Sequence, residues 1–245
     1  MGAKSELVHK LQQDILMWQG FKPASAGKAE RIGLGAIEDA FPGGVFPKRA
    51  IHEFITVFPE DAAASDGFIA GLLAALIRDG AACIWISKAR RLFPAALSTF
   101  NVSPERIIFM DVDTEKDALW IMEEALRCEG LAAVVAEVDA LSLVESRRLQ
   151  LAVEESGVTV FILRKDARRM ASTIATARWQ ISPLPSVLEE GMPGLGFPRW
   201  RVELLKVRNG VPGNWVMEWA GDGFLEVKRV LQQDGWKADE NRKIG

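Results

Sequence analysis

PGGVFPKRAIHEFITVFPEDAAASDGF, residues 42 to 68, decides how the rest of the chain is read. An apolar strand, Ile51 to Val57, runs into a turn of small residues and then into an amphipathic helix from Phe68 to Ile77. Strand, small-residue turn and helix in that order form the layout of a phosphate-gripping loop. The grip itself is missing. There is no G-x-x-x-x-G-K-[ST], and no lysine stands between Lys48 and Lys88. Glu60, Asp61, Ser65, Asp66 and Gly67 occupy the turn instead, and three of these five are carboxylates that repel a phosphate.

Outward from this stretch the pattern is regular. Short apolar runs at 51–57, 82–87, 106–112, 132–138 and 158–163 alternate with helical spacing at 63–79, 91–100, 115–128 and 141–156. Near-continuous apolar strands separated by amphipathic helices predict an α/β fold whose mostly parallel sheet is covered on both faces. After residue 175 the helices stop. The segments 177–182, 199–208 and 214–220 alternate as strands, and Asn209-Gly210 with Pro212-Gly213 supplies the turn of an antiparallel hairpin. A short helix is expected from Phe224 to Gln233, before a charged tail.

At the other end, Leu7, Val8, Leu11, Ile15 and Trp18 share one helical face over residues 5–19, with Ser5 as N-cap and Gly20 as stop. A polar connector, 22–30, sets this helical arm apart. Three parts are therefore expected: an arm and linker at 1–30, a main domain at 31–221, and a short helix with charged tail at 222–245. The arm either packs on its own domain or docks on a partner through Leu7, Leu11, Ile15 and Trp18, and Trp236 is a second docking candidate. The other tryptophans, Trp85, Trp120, Trp179, Trp200, Trp215 and Trp219, are read as core.

Composition excludes several functions. The 245 residues include 49% hydrophobic and 26% charged, enough for one sizeable core, and the net charge of −3 argues against a strongly basic nucleic-acid binder. The 2 histidines, His9 and His52, are far apart, and the 2 cysteines, Cys83 and Cys128, lack metal-ligand spacing. Both cysteines are read as buried thiols. His52-Glu53 is read as structural, and no G-x-S-x-G nucleophile motif occurs. No apolar run reaches the ~18 residues that span a bilayer, and the N-terminus lacks a signal-peptide core, so a cytoplasmic protein is expected.

The stretch 42–54 resembles the entry to a RecA-type core, in which a Gly-Gly turn leads through a basic residue into the first central strand. DTEKDALWIMEEALRCEGLAAVVAEVDAL (113–141) resembles the helix and strand that carry the magnesium-site aspartate in that fold. GVTVFILRKDARRMASTIATARWQI (157–181) resembles the next strand, a DNA-binding loop and the strand after it. Together with ESRRLQLAVEESGVT (145–159) and PRWRVELLKVRNGVPGNWVMEW (198–219), these segments are similar to the ImuA family over most of residues 33 to 220. ImuA proteins are RecA/SulA-like accessory proteins of damage-induced, error-prone translesion DNA synthesis.

What the resemblance implies can be set against each nucleotide-handling position. Ala136 stands where the magnesium aspartate belongs, with Glu137 next to it. Lys88 stands in place of the water-activating glutamate, and Arg164 falls near the glutamine that senses the γ-phosphate. With the lost grip, this implies no ATP turnover, no cofactor and no catalytic residue. Implied partners are an ImuB-like Y-family polymerase homologue, an alternative replicative-type DNA polymerase and RecA. A SulA-like division inhibitor that binds FtsZ is the alternative; a divergent RecA-family ATPase ranks last. Loops after parallel strands share one sheet edge, so Lys88, Arg90 and Arg91 after strand two and Arg164, Lys165, Arg168 and Arg169 after strand five are expected to converge. Two readings of that cluster stay open: contact with single-stranded DNA or an acidic partner, or loops whose arginines pair with Asp166 and Glu137. No aromatic is interleaved to stack bases, so any DNA contact is expected to be weak.

Overall fold

The computed structural model describes residues 30–77, 80–128, 130–165, 173–187 and 196–227. The expected arm, with Leu7, Leu11, Ile15 and Trp18, lies outside the described residues, as do Arg168, Arg169 and Trp236. The chain divides into two units, 1–31 and Ile32–Gly245, and the second holds the whole sheet.

Nine strands form that sheet: β1 (Ile51–Ile55), β2 (Ala82–Ser87), β3 (Ile107–Asp111), β4 (Leu131–Glu137), β5 (Thr159–Arg164), β6 (Ala177–Leu184), β7 (Arg199–Val207), β8 (Gly213–Ala220) and β9 (Gly223–Glu226). Their order is β3-β2-β4-β5-β1-β6-β7-β8-β9. The strands from β3 through β6 pair in parallel, and β6 to β9 are antiparallel. This is the α/β architecture expected, with a mostly parallel sheet and antiparallel C-terminal strands. Among the described residues three α-helices flank it: α1 (Pro59–Leu76), α2 (Glu115–Ala125) and α3 (Leu143–Ser156).

The sheet separates two cores. On one side Phe68 of α1 packs against an aromatic wall of Phe54, Trp179 and Trp200, with Phe161 edge-on to Phe54. On the other, Ala118 and Met122 of α2 and Leu149 and Val153 of α3 cover Val134, Ala136, Val160 and Ile162. Glycine lets α1 approach the wall closely. A Cβ on Gly71 would lie 2.5 Å from the Phe224 ring and 2.9 Å from Trp219.

Several expectations need correction. The turn read across residues 58–67 is helix: α1 begins at Pro59, and only Thr56, Val57 and Phe58 join it to β1. Proline fits the first helical position because its missing N–H needs no partner there, and Glu60 and Asp61 suit the positive end of the helix dipole. The helix expected from Phe224 begins as strand β9, because those residues find a ladder against β8 (Trp219 opposite Phe224). Trp120 is 62% exposed. The buried stripe of α2 runs through Ala118, Met122 and Ala125, and Trp120 falls between its turns. Cys128 is exposed, just beyond the end of α2, while Cys83 is buried in β2. The helical stretch read at 91–100 is a 3-10 segment, Pro94–Phe100. No helix among the described residues is long and apolar enough to cross a membrane.

Candidate functional site at the C-terminal edge of the parallel strands

The five candidates of the degenerate loop sit on α1, and each has a structural task or surrounding there. Asp61 Oδ2 accepts from the backbone N–H groups of Val57 and Phe58, 3.1 Å each, and so caps the helix start. Thr56 ties the short connection to β5 through N–H and hydroxyl bonds to the Arg164 carbonyl, 2.9 and 3.0 Å. Ser65 is fully buried, and its hydroxyl has no hydrogen-bond partner among the described residues. Gly67 faces aromatic rings: a Cβ there would meet Phe100 at 3.2 Å and Trp200 at 3.4 Å. Glu60 lies in the exposed first turn.

Asp66 is 8% exposed. Burial, then the charge of Glu137, pushes its carboxyl up to about 7, against the pull of Arg91 and Lys165. Glu137 ends β4 and is itself 4% exposed. A carboxylate therefore does stand at the strand's edge, one residue beyond the Ala136 that the resemblance singles out. Arg91, from the segment after β2, reaches Glu137 Oε2 at 3.1 Å, and Lys165, after β5, reaches the same oxygen at 3.1 Å. The two basic clusters do meet, and they meet on an acid.

The neighbouring cations are paired as well. Lys88 donates to Asp139 at 3.1 Å and lies 3.5 Å from Glu115, contacts that raise its pKa. Glu115 in turn accepts from the Asp139 backbone N–H at 2.8 Å and so holds the loop after β4. Arg90 forks onto Asp111 at 2.6 and 3.3 Å and lies 5.5 Å above the Phe109 ring. Arg164 is 1% exposed and lies 3.6 Å from Glu53 inside the sheet, directed away from solvent. All five described cations of the expected patch thus carry carboxylate neighbours.

These residues do not fit magnesium triphosphate. Phosphate binding needs a loop whose backbone N–H groups form a nest, and here helix begins after a three-residue connection from β1, in which the Val57 and Phe58 N–H groups are already taken by Asp61. A metal at Glu137 would have to displace two cations, next to a carboxyl held partly protonated at neutral pH. Among the described residues no group of three or more His, Cys, Asp or Glu side chains is placed to hold a metal ion.

Sequence reasoning read His52-Glu53 as structural but passed over Arg178, which meets them at the centre of the sheet. His52 is buried and neutral, its pKa lowered to about 4 by burial. Its Nε2 bonds the Pro47 carbonyl at 2.9 Å, its Nδ1 accepts from Trp179 at 3.3 Å, and its ring stacks on Phe46 at 4.4 Å. That is the structural histidine expected. Glu53, beside it, accepts from Arg178 at 2.8 Å. The signal for Arg178 was its place in the alternation of ARWQIS, where it falls opposite the core-facing Trp179.

No family model matches the chain. Two curated proteins are similar to it: Protein ImuA of Caulobacter vibrioides strain NA1000 / CB15N and Protein ImuA of Caulobacter vibrioides strain ATCC 19089 / CIP 103742 / CB 15. Each is 34% identical over 231 residues, which cover 87% of this chain and 95% of the relative.

Proposed function

This chain belongs to the ImuA family, and we propose that it is a non-catalytic accessory protein of damage-induced mutagenesis, acting through protein contacts in translesion DNA synthesis. Its partners on this reading are an ImuB-like Y-family polymerase homologue, an alternative replicative-type polymerase and RecA, all in the cytoplasm. One observation carries the non-catalytic part. At the sheet edge where a related ATPase would present a free amine and a free carboxylate, Arg91 and Lys165 both close on Glu137. An acid already flanked by two cations at 3.1 Å has to give them up before it can serve a metal, and that competition disfavours tight nucleotide binding.

The partner reading is tested by co-purification. Tagged full-length chain is expected to retain the polymerase homologue, and the combined substitutions Leu11→Ala and Trp18→Ala, or Trp236→Ala, to weaken retention at the end that docks. Recovery of the tubulin-like division protein FtsZ, with no polymerase subunit, would replace this reading by the division-inhibitor one.

A further inference from the structure

The outer surface of the α2–α3 layer carries apolar side chains that the core does not use. The buried stripe of α3 runs through Ser146, Leu149 and Val153, and the Ile174 N–H bonds the Ser146 hydroxyl on that side at 3.4 Å. On the outward side stand Val144 and Leu151, 72% and 59% exposed, with Leu143 at the helix start. Arg148 of α3 pairs with Glu123 of α2, and both helices run the same way between parallel strands. Val144 and the exposed Trp120 each lie one turn before that pair, so they stand at the same level on neighbouring helices. An exposed apolar residue standing singly needs no explanation, but several on adjoining turns of two helices mark a contact surface.

The charges around the strip select what it fits. Val144, Arg147, Leu151 and Glu155 fall at i, i+3, i+7 and i+11, on one helical face. Arg147 stands four residues before Leu151 and Glu155 four residues after it. Both are exposed, and among the described residues neither has an ion-pair or hydrogen-bond partner. Their neighbours are engaged, Arg148 with Glu123 and Glu154 with Gln150 at 2.9 Å.

Opposite signs at equal distances from a central leucine make this face complementary to itself. An identical helix laid antiparallel, with the two Leu151 side chains at the two-fold axis, sets Arg147 of each copy beside Glu155 of the other. The contact then gains two ion pairs and covers the apolar centre. A parallel arrangement would bring arginine onto arginine and glutamate onto glutamate, which is unfavourable. The row Arg147, Leu151, Glu155 is also the every-fourth-residue ridge by which helices most often interlock.

We propose that α3 is the two-fold interface for a second copy of this chain, centred on Leu151 and set in register by Arg147 and Glu155. The apolar strip is narrow, so the dimer is a weak one that forms as concentration rises into the micromolar range.

Sedimentation velocity of the full-length chain, from low micromolar to several hundred micromolar, tests it. Wild type is expected to pass from monomer to dimer across that range. Arg147→Glu, or Glu155→Lys, sets like charges against each other twice and is expected to weaken the dimer about tenfold, more strongly at low salt than at high. The two substitutions together restore opposite signs in the same register and should return the dissociation constant to that of wild type, a recovery that damage to the fold would not give. Leu151→Glu places two carboxylates at the axis and should leave a monomer. A wild type that stays monomeric would overturn the proposal and give the strip to a different protein. So would a dimer that Leu151→Glu leaves intact, or a charge-swapped double variant no stronger than the single ones, either of which would put the contact elsewhere on the chain.

Discussion

Replacing Asp66 by asparagine is expected to stabilise the fold at pH 8 and to change how its stability follows pH. The Asp66 carboxyl titrates near 3.8 when unfolded and at about 7 in the folded chain, because burial and Glu137 both oppose its charge. Between those values the native state holds a proton that the unfolded state has lost. Asp66 therefore contributes stability that is greatest at low pH and falls away as pH rises from about 4 through 7. A shift of about three units at 1.36 kcal/mol each amounts to about 4 kcal/mol at most, lost by pH 8. An asparagine amide has nothing to ionise. In Asp66→Asn the loss disappears, so the variant should be about 2 to 4 kcal/mol more stable than wild type at pH 8, with the difference shrinking toward pH 4.

His52 sharpens the test because it works in the opposite sense. Its pKa is 6.5 unfolded and about 4 folded, so the unfolded state binds the extra proton between them. Its contribution is complete above 6.5 and is lost as pH falls toward 4, by about 3 kcal/mol. In wild type the two slopes largely cancel below pH 6.5. In Asp66→Asn the histidine slope stands alone, and stability should climb between pH 4 and 6.5 and then level. Urea denaturation at a series of pH values gives both curves. An Asp66→Asn variant less stable than wild type at pH 8, or one whose pH profile runs parallel to wild type, would refute the reasoning.

Other outcomes rest on single contacts. Gly71→Ala should destabilise by about 1 to 2 kcal/mol in thermal melts, because strain against Phe224 and Trp219 outweighs the roughly 1 kcal/mol that alanine gains in a helix. Arg178→Ala should cost about 3 to 5 kcal/mol in urea denaturation, since it leaves the buried Glu53 carboxylate short of its nearest cation; Arg178→Ala with Glu53→Gln should recover much of that loss. A thiol reagent should label Cys128 in the native chain and reach Cys83 only on unfolding, because Cys83 is buried and burial pushes its pKa far up.

The sheet was legible because buried parallel strands write themselves as apolar runs. Ala82–Ser87 is where the sequence puts it, and Asn209-Gly210 marks the β7–β8 turn, Asn209 taking φ 57°. Residues 59–67 misled because Pro, Asp, Ser and Gly serve both turns and helix starts, and the alanine run that decides for helix is also turn-compatible. Strand β9 is four residues long and owes its form to β8, which no local pattern reveals. The same limit governs the site. The cations could be counted, but their partners lie far off in sequence: Lys88 and Asp139 are 51 residues apart, Arg90 and Asp111 are 21. Whether a basic loop is a free patch or half of an ion pair is decided by topology.

Calorimetric titration of the full-length chain with ATP and magnesium tests the central claim most directly. With Arg91 and Lys165 engaged on Glu137 and α1 starting at Pro59, the expected result is no saturable binding below about millimolar nucleotide, a regime worth less than about 4 kcal/mol. Micromolar binding, or magnesium-dependent turnover that Glu137→Ala abolishes, would contradict it.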